Sequence, residues 1–457
     1  MTQTLTLDII KQAVSSHAAA FRCITEYQPM GGLGDKVFPP TYEGGKYATE
    51  KRVDAETGEL VDCVLLDSVQ SQANRSELAL LEVWRTKDSD GKRRIQLPII
   101  STEFIFNDPQ YKSFSVTSLE APHRVADAIF RDSNILSSPN IKFRDSAHGK
   151  ALNNADTRNA SDLFAICPTA LIFGIWDSTG PRGGLGAKFQ RALVSEMVGW
   201  GVVDGINVES RIDSAGIVRA SGPIFRTEDD SWTTNPDLAK RVGNKLALYG
   251  LSKGNLVAYD ENKDQDQGAP SKINHGNIVP NFSYAKDSNN NIVLDDVVLE
   301  NGKVIKKPRI KGGFTIKKAI QTTVLSLVAL RRLRFPINGA VESDNKVDIA
   351  ARTVLTTLGL LAATLQREQG ADLRSRCQLF PQQAFVWELL DVPTEEPKQY
   401  VLTGNTAVEL FNQAVKEATA LGLPWEDEIK LQPSEDLLAL VRKSQEANMH
   451  QSAEGGE

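Results

Sequence analysis

Val64-Leu65-Leu66-Asp67-Ser68-Val69-Gln70-Ser71-Gln72-Ala73-Asn74-Arg75-Ser76-Glu77 passes from three apolar residues to an Asp-Ser pair, then to amides, hydroxyls and one arginine. Asp67 and Gln70 have capping-box spacing, which predicts a strand feeding a helix. At about 100° per residue, Val69, Ala73 and Leu80 share one helix face, and Gln70, Ser71, Asn74 and Arg75 share another. Amides and a guanidinium near the positive end of a helix suit phosphates and sugar hydroxyls. The stretch has no obvious nucleophile or base. A solvated helix face beside a strand is the plainer alternative.

The 457 residues are 41% hydrophobic and 24% charged, ordinary for a globular protein with a large core. The net charge of −6 argues mildly against a nucleic-acid binder, but residues 395–457 hold 12 acidic and 5 basic residues. That tail accounts for the acidity and leaves residues 1–394 free to carry basic patches. Cys23, Cys63, Cys167 and Cys377 form no CxxC pair, so reduced, buried thiols are expected. The five histidines show no HxH or HExxH spacing, so no metal centre is expected, and no other cofactor is expected either. The first residues lack a signal-peptide pattern, and no apolar run approaches membrane-spanning length. A soluble, cytoplasmic protein is the expectation.

Outward from the opening stretch, residues 7–20 read as a helix and 21–25 as a strand. Residues 28–52 form a Gly/Pro-rich loop in which Tyr42, Tyr47, Lys46, Lys51 and Arg52 suit bases or phosphates, or else decorate an ordinary surface loop. A helix is expected over 123–132, where Arg124 and Arg131 have Asp127 and Asp132 for internal pairing. Residues 143–159 continue a polar insertion that includes Arg158. The apolar run 169–176 reads as a strand buried on both faces, followed by a glycine-rich loop through Ser178 to Lys188 and a helix over 189–198. Strand, loop and helix imitate a phosphate cradle, but GxxxxGK[ST] is missing, and so is an acidic ribose reader for GxGxxG. Lys188 and Arg191 at that helix start still suit the phosphates of a polymer. Residues 203–232 alternate like a hairpin, and 254–312 form a polar insertion carrying Asn274 and His275. Residues 315–333 read as a helix with Ile320, Val324, Leu327 and Val328 buried. Arg331, Arg332 and Arg334 close it, favourably placed against the helix dipole. Helices are expected over 347–368, 406–421 and 434–446, with the last ten residues disordered.

Six segments together resemble one family. They are 65–75; His123-Arg124 with Arg131-Asp132-Ser133; Phe173-Gly174-Ile175-Trp176-Asp177-Ser178; 188–196; Ile273-Asn274-His275-Gly276-Asn277; and 325–336, ending Arg331-Arg332-Leu333-Arg334-Phe335-Pro336. In this order, over about residues 20–340, the chain resembles the Cas-seven-type backbone subunit of subtype I-G (formerly I-U) CRISPR surveillance (Cascade) complexes. That subunit belongs to the repeat-associated mysterious protein (RAMP) superfamily.

The resemblance implies an α+β fold. Its core would be an RRM/ferredoxin-like antiparallel-sheet palm in residues 1–394, with finger-like insertions around 100–160 and a thumb in 203–232 or 254–312. Residues 395–457 would form an acidic helical tail. It implies a non-catalytic subunit that polymerises head to tail along the CRISPR guide RNA and presents it to target DNA in antiviral defence. Partners would include a processing or cap subunit, a large subunit and a recruited helicase-nuclease, with no membrane involved. A guide holder binds without sequence preference, through phosphates, 2′-hydroxyls and shape, while base pairing carries specificity. The candidate RNA-binding set is Gln70, Gln72, Asn74, Arg75, Arg124, Arg158, Ser178, Lys188, Arg191, Asn274, His275, Arg331 and Arg332. An RNA-cleaving RAMP-superfamily endoribonuclease, using His123, Asp67 or Asp177, is the alternative. A nucleotide-dependent enzyme built on 177–188 is a third, already discounted by the missing P-loop residues.

Overall fold

Phe21, Cys23, Thr25 and Tyr27 are buried, and Arg22, Ile24, Glu26 and Gln28 between them are not. A period of two marks a strand covered on one face, and the computed structural model places this one at the middle of a large sheet. The described residues are 2–178, 188–216, 223–252, 255–260, 278–287, 289, 291–299, 301–309 and 312–454. They fall into two units, residues 1–205 with 313–442, and residues 206–312 with 443–457.

The larger unit contains β1 (Gln3–Thr4), β2 (Ala20–Pro29), β3 (Thr49–Val53), β4 (Leu60–Asp67), β5 (Leu193–Trp200), β6 (Lys318–Ser326), β7 (Ala371–Arg374), β8 (Cys377–Pro381), β9 (Trp387–Leu390) and β10 (Lys398–Val401). The sheet order is β1-β10-β9-β2-β6-β5-β4-β3, and β8 joins the far end of β2 to β7. All of these pairs are antiparallel except β1 with β10. Its principal helices are α1 (Leu7–Ser15), α2 (Val69–Arg85), α3 (Asn345–Glu368) and α4 (Gly404–Ala420). α2 and α3 pack on each other, α2 also on β5 and α3 on β6. The fold is mixed α+β.

Three segments adopt a different structure from the one their sequence suggests. Residues 315–333 are chiefly strand β6, followed by a short helix, Leu327–Arg331. Ile320, Val324 and Leu327 have helical spacing, but Ala319, Gln321, Thr323 and Leu325 are buried with a period of two, and β-branched residues suit the strand. Both edges of β6 are taken, by β2 and β5. The expected helix over 189–198 is strand β5, with Leu193, Ser195 and Met197 turned inward. Conversely, the apolar run after Pro168 coils into helix Thr169–Phe173 before a two-residue strand, Ile175–Trp176. A run buried all round has no periodicity to separate helix from strand.

Smaller differences follow the same logic. The expected helix at 123–132 splits into a 3-10 turn at Arg124–Ala126 and a short helix, Ala128–Arg131, capped by Asp127. Residues 395–442, read from sequence as part of a tail, are woven into the larger unit. β10 lies in the main sheet, α4 packs on α3, and Ile429–Pro433 sits inside a second sheet, parallel to Ile100–Phe104. The last helix runs Glu435–Glu454, farther than expected. α3 is long and apolar enough to cross a membrane by length and composition, contrary to the sequence reading. However, 89% of its most apolar window is buried, the pattern of a core helix. In the smaller unit, Val208–Arg211 pairs with Ile278–Phe282, so segments of both thumb candidates lie in one unit.

The assignment of β6 as a strand predicts an alternating mutational pattern. Leu325→Ala, in the core beside Gly359 of α3, should cost about 2–5 kcal/mol in urea unfolding. Thr322→Ala, on the exposed face, should change stability by about 0.5 kcal/mol or less. Equal losses at both positions would contradict the strand.

Candidate nucleic-acid interface

β4 ends at Asp67, and α2 begins one residue later than the capping-box spacing suggests. Ser68 is the N-cap and accepts from the Ser71 backbone N–H at 3.3 Å. Asp67 is free of capping because its Oδ2 accepts from Gln72 Nε2 at 2.5 Å and Arg75 Nε at 2.9 Å. Gln72 Oε1 in turn accepts from Ser195 Oγ at 2.9 Å and Gln321 Nε2 at 2.7 Å, so α2 is tied to β5 and β6. Tyr27 donates its hydroxyl to Gln321 Oε1 at 2.8 Å, and burial pushes that hydroxyl up to about 12, which keeps it a donor. Arg75 is half-buried, and its remaining nitrogens reach the carbonyls of Asp372 and Leu373. Gln70 and Asn74 are left exposed beside it on the same helix face.

A cleft opens between the Ile175–Trp176/Lys188–Phe189 hairpin and the turn after Leu327–Arg331. It is a cavity of about 270 Å³, and its lining includes Thr157, Lys188, Gln190 and Arg332. Trp176 lies opposite Lys188 in the hairpin register, 58% exposed, with the ammonium 5.5 Å from its ring centroid. Gly174 permits the hairpin entry: its φ is +81°, and a Cβ there would sit 3.0 Å from the Phe189 carbonyl. The Arg332 turn is clamped by buried Asp348, which accepts from the Phe335 N–H at 2.8 Å, Arg352 at 2.9 Å and Arg334 at 3.3 Å. The Arg334 N–H donates to the Thr157 carbonyl at 2.9 Å, bringing the Arg158 segment alongside. No carboxylate among the described residues pairs with Lys188, Arg191 or Arg332. Exposed cations beside an exposed indole can hold a phosphate backbone and stack a base.

The predicted set therefore separates. Lys188 and Arg332 both line the cleft, and Arg191, Arg158 and Ser178 are exposed on the segments flanking it, although Arg158 is paired with Asp156. Gln70, Asn74 and part of Arg75 form a second polar face. Gln72 is not available to a ligand: it is fully buried and its amide is spent on the core. Arg124 is also structural, buried and bidentate to Glu77 at 2.7 and 2.8 Å, with a further bond to the Gly174 carbonyl. Arg331 donates to the Ala18 carbonyl from a half-buried position. Asn274 and His275 lie outside the described residues. Sequence reasoning passed over Trp176 and Gln190 as site residues; an aromatic before Asp177-Ser178 was the only local signal.

The carboxylates considered for catalysis are engaged. Asp67 is held as above, and Asp177 takes both ends of the Arg144 guanidinium at 2.6 and 2.9 Å. His123 is exposed. Among the described residues, no group of three or more His, Cys, Asp or Glu side chains could hold a metal ion.

In comparison with known proteins, the family described as CRISPR-associated protein GSU0053 matches residues 21–204. No curated protein matches the chain.

The Arg124–Glu77 pair gives a direct test of its structural role. Burial pushes the Glu77 carboxyl up to about 7, against the pull of Arg124. Glu77→Leu strands a buried guanidinium and should destabilise the protein by about 3–5 kcal/mol. Glu77→Leu with Arg124→Met should recover much of the loss in thermal melts. A single variant as stable as the parent would contradict the pairing.

Proposed function

We propose that this chain, whose residues 21–204 match the family of CRISPR-associated protein GSU0053, acts in CRISPR defence as a guide-RNA-binding backbone subunit. The observation that carries this reading is the cleft. Lys188 and Arg332 line it without a carboxylate partner among the described residues, Lys188 lies beside exposed Trp176, and Asp177 next to Trp176 is held in an ion pair. Cations and an aromatic face without a free acid suit holding a strand better than cutting it.

The topology supports a Cas-seven-type, RRM-like palm. Taken as β2-α2-β5-β6-α3-β9, the inner elements have the ferredoxin-like β-α-β-β-α-β order, and the strands lie in the sequence β9-β2-β6-β5. The two helices packed together on the sheet match that arrangement. On this reading the smaller unit supplies the thumb, and residues 100–160 a finger. The subunit acts in the cytoplasm in a subtype I-G Cascade complex. It polymerises head to tail along the guide RNA and leaves the bases free for target DNA. Its partners are a processing or cap subunit, a large subunit and a recruited helicase-nuclease. It performs no chemistry of its own. The RNA-cleaving alternative needs a free acid or base at the strand; Asp67 and Asp177 are engaged, which leaves it the exposed His123.

Fluorescence anisotropy with two unrelated single-stranded RNAs tests this. The full chain should bind both with similar affinity. K188E/R332E should weaken both alike and lower the salt slope by about 0.7 for each lost phosphate contact. RNA should remain intact after incubation with magnesium. Loss confined to one sequence, absence of RNA binding, or cleavage would contradict the proposal.

A further inference from the structure

The Gly/Pro-rich loop at 28–52 has no place in the cleft, yet it meets a second group of cations. β7 and β8 form a hairpin whose register pairs Arg374 with Cys377, leaving Ser375 and Arg376 as its two-residue turn. Arg374, Ser375 and Arg376 are all exposed. The loop is fastened to this hairpin: the Met30 N–H donates to the Gln378 carbonyl and the Phe38 N–H to the Arg376 carbonyl, both at 2.9 Å. The Arg376 guanidinium lies 4.2 Å from the Phe38 ring centroid, and Arg374 Nη1 donates to the Pro39 carbonyl at 3.1 Å. On the other side Arg75 binds the Asp372 and Leu373 carbonyls, joining the hairpin to the α2 end that exposes Gln70 and Asn74.

Two features distinguish this hairpin from ordinary surface arginines. First, Arg374 and Arg376 are oriented by carbonyls and an aromatic ring, and neither has a carboxylate partner among the described residues. Held in place without being neutralised, both retain their charge for an outside anion. Secondly, Arg376 has φ +60°, a conformation that hairpin turns normally give to glycine or asparagine. An arginine there costs stability that glycine would recover, and such strain tends to be kept where a side chain has work to do.

We infer that the Arg374–Arg376 turn and Phe38 form a second RNA-contact site, separate from the cleft, that grips a single-stranded phosphodiester backbone and stacks one base. This rests on the guide-RNA reading above. Arg374 takes a phosphate, with Gln70 and Asn74 available for neighbouring phosphate or sugar oxygens. The Arg376 guanidinium, backed by Phe38, presents its outer plane to a base; arginine planes accept bases as aromatic rings do. Shape and charge, without base-edge readout, leave the site indifferent to sequence.

The strained φ supplies a clean test. Full-length R376G should fold at least as well as the parent in thermal melts, yet bind a single-stranded RNA about tenfold more weakly, the low end of what one stacked base contributes. R374Q should weaken binding and lower the salt slope by about 0.7. RNA affinity within twofold of the parent for R376G and R374Q, with the parent binding normally, overturns this inference and leaves the guide-RNA reading standing. A parent chain that binds no RNA overturns both. Were R374Q to fail to fold, R376G alone decides.

Discussion

One buried carboxylate and one buried amide hold the larger unit in register. Asp67 accepts from Gln72 and Arg75, and Gln72 accepts from Ser195 and Gln321. Through these contacts the end of β4, the start of α2, strands β5 and β6 and the β7–β8 hairpin are fixed to one another. Gln321 extends the network to Gln366 of α3 and to Tyr27 of β2. A polar group without a partner at such depth costs about 1–3 kcal/mol. The network therefore disfavours other registers that an apolar core would tolerate.

The consequence for function is a division of labour among the cations. Arg124, Arg144 and Arg352 are matched to Glu77, Asp177 and Asp348, and serve to position the elements around the cleft. Lys188, Arg332, Arg374 and Arg376 are exposed and have no such match among the described residues, which suits them to phosphates. Net charge conceals this arrangement. The chain is acidic overall at −6, while Glu77, Asp177 and Asp348 are taken up by Arg124, Arg144 and Arg352. Locally unmatched cations govern phosphate binding within a Debye length of about 8–10 Å.

The parts of the fold legible in sequence were those with local causes. The Asp-Ser start and the spacing of Val69, Ala73 and Leu80 located α2, and the strand read at 21–25 falls within β2. The N-cap moved to Ser68 because Asp67 is drawn to Gln72 and Arg75, partners visible only once the chain is folded. β6 was misread because Ile320, Val324 and Leu327 fit a helical period, whereas pairing with β2 and β5 on its two edges settles the strand. Arg124 illustrates the same limit for the site. Asp127 is its neighbour in sequence, but Glu77 is its partner in space, 47 residues away. Lys188 and Arg332 were picked for their charge, and both line the cleft; Arg376 carried no signal, since nothing in Leu373-Arg374-Ser375-Arg376-Cys377 announces a left-handed turn.

The most direct test of RNA lying on the larger unit is ultraviolet cross-linking of the purified RNA-loaded particle, with the attached peptides identified by mass spectrometry. The account predicts adducts on peptides containing Trp176 and Phe38, the aromatic side chains placed beside unmatched cations. Adducts absent from both, with RNA attached instead to the opposite sheet face around Ile24, Val194 and Thr322, would contradict it.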